Sequence, residues 1–95
     1  MPYIKQNKRD DLDKQIDKLL TAIKFTASGE PENLEGIMNY TITKLVHEFY
    51  GSDEFSTSYK QISKATGMLE NVKQEYYRKV ASPYEDIAEE KNGKL

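Results

Sequence analysis

The chain contains no cysteine and no tryptophan, and it has one histidine, His47. Without thiols there is no disulfide framework and no zinc site built on thiolates. A metal centre would have to rest on carboxylates. No run approaches the roughly 20 apolar residues that a membrane span needs, and the N-terminus has no apolar signal core. The expectation is a cytoplasmic protein that does not enter the membrane. Neither charge is in large surplus. Lysine and arginine number 14 against 16 acids, for a net charge of -2. A duplex-DNA reader shows a basic stripe, so this balance argues against duplex nucleic acid as a partner.

What is present is helical periodicity. In a chain of 95 residues it suits one domain, residues 1–95. Residues 1–7 read as an extended arm carrying Tyr3 and Ile4, with Asn7 as a helix N-cap and Asp10 and Asp11 in the first turn. Helix 1 is predicted over 8–26, with Leu12, Ile16, Leu19, Leu20 and Ile23 on one stripe. Phe25 falls on the far side. Ser28–Pro31 is a turn. Helix 2 is predicted over 32–50, with Leu34, Met38, Thr41, Ile42, Leu45 and Phe49 on one face. Gly36 weakens its first turns, and Gly51 suits a residue beyond its end.

Ser56 or Thr57 then caps helix 3, predicted over 57–81. Its apolar stripe is Ile62, Ala65, Leu69, Val72, Tyr76 and Val80. Gly67 lies outside that stripe and marks a kink or a close approach. Pro83 should stop this helix at or before Ser82. Ser82-Pro83-Tyr84-Glu85 has the form of a capping box with proline at the first helical position. A short fourth helix over 83–91 follows, closed by Asn92-Gly93. The predicted fold is all-α, a three-helix antiparallel bundle with a short C-terminal helix, its three stripes meeting in a thin shared core.

No arrangement of catalytic residues stands out. His47 precedes Glu48, but the residue four positions after it is Gly51, so there is no HExxH motif. No nucleophile elbow, P-loop or GxGxxG is present. Adjacent acids such as Asp10/Asp11 and Glu89/Glu90 are explained by solvated helix faces. The chain is therefore expected to be no enzyme and to use no cofactor.

The residues that suggest contact with something else are aromatic and mixed-polar. Glu70, Lys73 and Tyr77, with Tyr59 and Thr66, form a stripe beside the core face of helix 3. Lys73 projects inside the arc of Leu69 and Tyr76, where it must snorkel or pair with Glu70. This stripe is either the polar rim of a helix contact or the lining of a groove. Tyr40 and Phe25 are the clearest exposed rings. With Tyr3, Phe55, Tyr50 and Tyr84 they mark surfaces for self-association or partner binding.

The sequence also resembles a family of short uncharacterised proteins from bacterial, archaeal and phage genomes. The likeness is carried by Met1-Pro2-Tyr3-Ile4, Arg9, Leu12-Asp13 and Ile16. In the centre it is carried by Gly36, Asn39-Tyr40, Ile42-Thr43 and Leu45. In the last third it is carried by Tyr59, Ile62, Gly67, Leu69-Glu70, Lys73, Glu75, Tyr77-Arg78, Pro83-Tyr84-Glu85-Asp86 and Asn92-Gly93. Met38 stands where leucine is expected, and the chain closes on Gly-Lys-Leu instead of Gly-Asp-Val. The resemblance implies no activity.

Three readings follow. The first is a non-enzymatic interaction or oligomerisation protein, with a second copy or another protein as partner. The second is a binder of a small anionic ligand such as a nucleotide signal, with tyrosines stacking and Lys73, Arg78 and Lys79 meeting phosphates. The third is a phage-encoded inhibitor of a host defence protein.

Overall fold

A computed structural model describes residues 4–51 and 58–94. The fold is all-α, with no strand among the described residues. Its contacts divide the chain into two units, Met1–Leu45 and Val46–Leu95. Tyr3 and Phe55 lie outside the described residues, as do the proposed caps Ser56 and Thr57.

In the first unit, α1 runs from Gln6 to Gly29, longer at both ends than predicted. Asn7 is not its cap. The cap position is Lys5, in extended backbone and without a side-chain cap bond. The Lys5 carbonyl accepts from the N–H groups of Lys8 (3.0 Å) and Arg9 (3.1 Å). Arg9 folds back as well, its Nε donating to the Ile4 carbonyl at 3.0 Å. The first turn consequently contains no acid. Asp10 instead accepts from Gln6 Nε2 at 3.0 Å, one turn back on the same face.

Pro31 ends α1 from outside. The residue before a proline is pushed out of the α region, and Glu30 sits at φ -140°. Pro31–Asn33 forms a 3-10 turn with proline near its start, and α2 follows over Leu34–Gly51. Gly36 has a steric reason to be glycine. A Cβ there would stand 2.2 Å from Asn33 Oδ1, so the Asn33 side chain lies over the backbone at this point. Gly51 is the last helical residue of α2, not the residue beyond it.

In the second unit, Ser58 caps α3 (Tyr59–Tyr76), its Oγ accepting from the Gln61 N–H at 3.2 Å. Gly67 lies inside this helix beside open space. Pro83 does not break the chain here. Tyr77–Ala81 forms a π turn, and α4 (Ser82–Asn92) continues from it. Ser82 has helical dihedrals (φ -64°, ψ -48°), and its N–H donates to the Tyr77 carbonyl five residues back. The capping box expected at Ser82 is absent, because that residue never leaves helical backbone. Proline in a helix lacks an N–H and its ring crowds the carbonyl four residues earlier. A π turn widens the backbone at that place and relieves the crowding. Gly93, at φ 91°, closes α4 with its N–H on the Glu89 carbonyl at 2.8 Å.

The stripes fall on one face of each helix, but they are not buried. No described residue is fully buried. Leu12, Ile16, Leu34, Leu45, Ile62 and Val72 each keep about half of their surface accessible. The reason is local to each unit. In the first, α1 closes on the 3-10 turn, while no Cα of α1 lies within 8 Å of one in α2. In the second, α3, the π turn and α4 follow one another along one helical path, so they cannot cover each other. Among the described residues, no helix is long and apolar enough to cross a membrane.

Candidate functional site

Each unit presents an open groove of about 410 Å³. In the first unit it lies where α1 leaves the turn and α2 begins. Leu19, Ile23 and Thr26 of α1 line one side, and Gly36, Ile37 and Tyr40 line the other. Ile23, Ile37 and the neighbouring Thr41 are half-buried, whereas Tyr40 is 68% exposed. Thr41 satisfies its hydroxyl on the Ile37 carbonyl at 2.8 Å, which leaves the groove wall predominantly apolar. Phe25 lies elsewhere on α1, 81% exposed and not part of the lining.

The second groove gathers three of the residues singled out by spacing. Glu70, Lys73 and Tyr77 line it together with Gln74, Tyr76 and Ala81. Lys73 Nζ stands 3.8 Å from Glu70 Oε1, and Gln74 Nε2 reaches the same oxygen at 3.4 Å. Lys73 therefore pairs one turn back while its stem runs along the groove. Tyr76, assigned above to the core stripe, is 65% exposed and forms part of the wall. Tyr59 and Tyr84 are exposed and outside the lining. Thr66 turns to its own helix, donating to the Ile62 and Ser63 carbonyls.

Three carboxylates neutralise the polar groups around this groove. Glu70 takes Lys73, Glu75 takes Arg78 in an ion pair, and Glu85 accepts from Tyr77 Oη at 3.1 Å. The hydrogen bond from Arg78 holds the Glu75 carboxyl below its ordinary range. The hydrogen bond to Glu85 holds the Tyr77 phenol above its own. Both follow one rule: a group is shifted toward the protonation state that its partner bonds. The arrangement has no paired nucleophile and base. It offers two rings, Tyr76 and Tyr77, beside a rim of paired polar side chains.

Sequence reasoning did not find Glu85 as a member of this cluster. The two residues are eight apart, a spacing at which α-helical side chains do not meet, and only the π turn aligns them. The first groove was legible only through Tyr40, because Leu19, Ile23 and Thr41 belong to stripes expected to be buried and Thr26, Gly36 and Ile37 belong to no stripe. His47 is exposed on α2. Among the described residues, no three of His, Cys, Asp or Glu cluster as metal ligands.

The chain belongs to a family of domains of unknown function, DUF6899, whose model matches residues 1–95. No curated protein and no solved structure matches it. This match agrees with the resemblance to a family of short uncharacterised proteins read from the sequence.

Proposed function

We propose that this DUF6899 chain is a non-enzymatic helical interaction protein, which works by docking its apolar helix faces against another helical surface. The observation that carries this reading is the exposure of its stripes. Leu12, Ile16, Leu34, Leu45, Ile62 and Val72 sit at core spacing yet stay about half accessible. Full burial of one such side chain is worth about 1.5–3 kcal/mol. These are already half covered, so a partner gains about half of that from each and must cover several together to offset the cost of association. The aromatic rims of the two grooves, Tyr40 and Tyr76/Tyr77, fit this role because tyrosine serves half-wet contacts.

Sedimentation equilibrium over a range of concentrations tests the proposal. Self-association, or a complex with a helical partner, is the expected result. A monomer at every concentration that also captures no protein would count decisively against it.

The anionic-ligand reading is weaker. Lys73 and Arg78 are already committed to Glu70 and Glu75, and Glu70 itself lines the groove. A nucleotide would have to displace or tolerate those carboxylates. Should this family member come from a phage, the same exposed faces would serve to bind a host protein. That is how an inhibitor of a defence protein would act.

A further inference from the structure

Along α3 the apolar residues Ile62, Ala65, Leu69, Val72 and Tyr76 alternate three and four apart. The alternation then fails once. Val80 follows Tyr76 after four residues, and Tyr84 follows Val80 after four again. Ile87 resumes the pattern three residues later. The sequence thus carries one residue too many between Tyr76 and Tyr84. The π turn over Tyr77–Ala81 lies between those two residues, and a π turn takes in one residue more than an α turn.

The surplus residue decides which side of α4 continues the α3 stripe. At about 100° per residue, an unbroken α-helix would turn Tyr84 about 80° and Ala88 about 120° away from Tyr76. Pro83 and Glu90, seven and fourteen residues after Tyr76, would come within about 40° of it instead. With one residue absorbed, Tyr84, Ile87 and Ala88 take effective spacings of seven, ten and eleven from Tyr76. Leu69 and Val72 stand at seven and ten from Ile62 in the same way. One apolar face therefore runs from Ile62 to Ala88, with Pro83 and Glu90 turned off it.

Packing of α4 on α3 does not impose that register, since no Cα of α4 lies within 8 Å of one in α3. The determinants lie within residues 77–85. The Ser82 N–H reaches the Tyr77 carbonyl five residues back. Pro83 has no N–H, and in an α turn its ring would crowd the Lys79 carbonyl. Tyr77 Oη donates to Glu85 at 3.1 Å, a contact that the widened turn brings onto one side.

We infer that the π turn is a register device: selected by Pro83, it absorbs the surplus residue and keeps the apolar side of α4 in line with that of α3. This concerns the path of one helix, so it stands or falls independently of the interaction reading above.

NMR on the whole chain tests it through two signals. One is the coupling across the hydrogen bond from the Ser82 N–H to the Tyr77 carbonyl. The other is the Overhauser contact between the Tyr77 ring and the Glu85 side chain. Both are expected in the wild type. Pro83→Ala should lose both, because α4 turns by about 100° when the surplus residue enters an α-helix. Deleting Lys79 from that variant removes the surplus. Tyr77 and Glu85 are then seven residues apart in plain α-helix, so the Overhauser contact should return while the five-residue hydrogen bond does not. Both variants gain helix propensity from alanine, and circular dichroism checks the helix in each. A Pro83→Ala chain that keeps both signals would overturn the selection by proline. A deletion variant in which Tyr77 and Glu85 stay apart would overturn the register. Inserting one alanine after Lys79 in the otherwise unchanged chain adds a second surplus residue and should also abolish the Overhauser contact. Its persistence there would count equally against the device, and this variant reads out even if Pro83→Ala folds poorly.

Discussion

Tyr77 Oη donates a 3.1 Å hydrogen bond to Glu85 Oε2, eight residues along the chain. In a continuous α-helix, eight residues overshoot two turns by about 80°. The π turn over Tyr77–Ala81 absorbs one extra residue, so the pair behaves as though seven apart and lines up on one face. Tyr77→Phe removes this tie between the two sides of the π turn. The expected result is a modest drop in melting temperature by circular dichroism, with helix content retained at low temperature.

The same two pairs give stability a pH dependence of known sign. The folded chain holds the Tyr77 proton more tightly than the ordinary phenol near 10.0. Its contribution is complete below that pH and disappears as pH climbs above it. Glu75 is shifted the other way, held below its ordinary 4.5 by Arg78. Its contribution is complete above that value and is lost as pH falls beneath it. Melting temperatures between pH 3 and 11 should therefore fall at both ends. Tyr77→Phe should flatten the alkaline limb, and Arg78→Gln should flatten part of the acid limb. Tyr77 is 54% exposed, so the alkaline effect is small and shrinks with added salt. The Glu75 side chain is only 12% exposed, so the acid limb is screened less.

Pro83→Ala should convert the π turn to ordinary α-helix. Alanine restores the missing N–H and removes the ring that crowds the preceding turn. Backbone chemical shifts and amide contacts across residues 77–82 report the change. Tyr77 and Glu85 should then separate, and the phenol should titrate at its ordinary value. If the Ser82 N–H stays bonded five residues back in that variant, proline is not the cause of the π turn.

Gly67→Ala isolates helix propensity. A Cβ at this position meets nothing within 4 Å, and glycine inside a helix costs about 1 kcal/mol relative to alanine. Chemical denaturation should show a gain of about that size. A variant that gains stability as a monomer yet loses self-association would place a second chain at this point on α3.

Tyr40→Ala is expected to leave helix content and melting nearly unchanged, because the ring is 68% exposed. It should weaken association, since Tyr40 forms a wall of the groove that holds Leu19 and Ile23. Sedimentation at matched concentrations compares the two. A large loss of thermal stability would show that the ring supports the chain's own fold.

Helix existence was readable from spacing alone, and so was the polar cluster of Glu70, Lys73 and Tyr77. Helix ends were less readable. Asn7 has a good capping side chain, yet the chain enters α1 earlier because the Lys5 carbonyl collects two N–H groups and Arg9 folds back on Ile4. Local rules treat proline in a helix as a break, so the sequence predicts a stop at Pro83. A π turn offers a third outcome, which depends on backbone geometry spread over five residues.

Periodicity, the absence of thiols and the spacing of charges come from side-chain chemistry repeated along a line. They determined that this chain is helical, that each helix has one apolar face, and that no familiar catalytic motif is present. Whether those faces would be covered was a matter of distance between segments, which one-dimensional order does not contain. Tertiary structure decided that α1 meets its neighbour only at the turn and that α3 runs on through proline into α4. That placement leaves leucines and isoleucines in water, and exposed apolar area is a driving force for association.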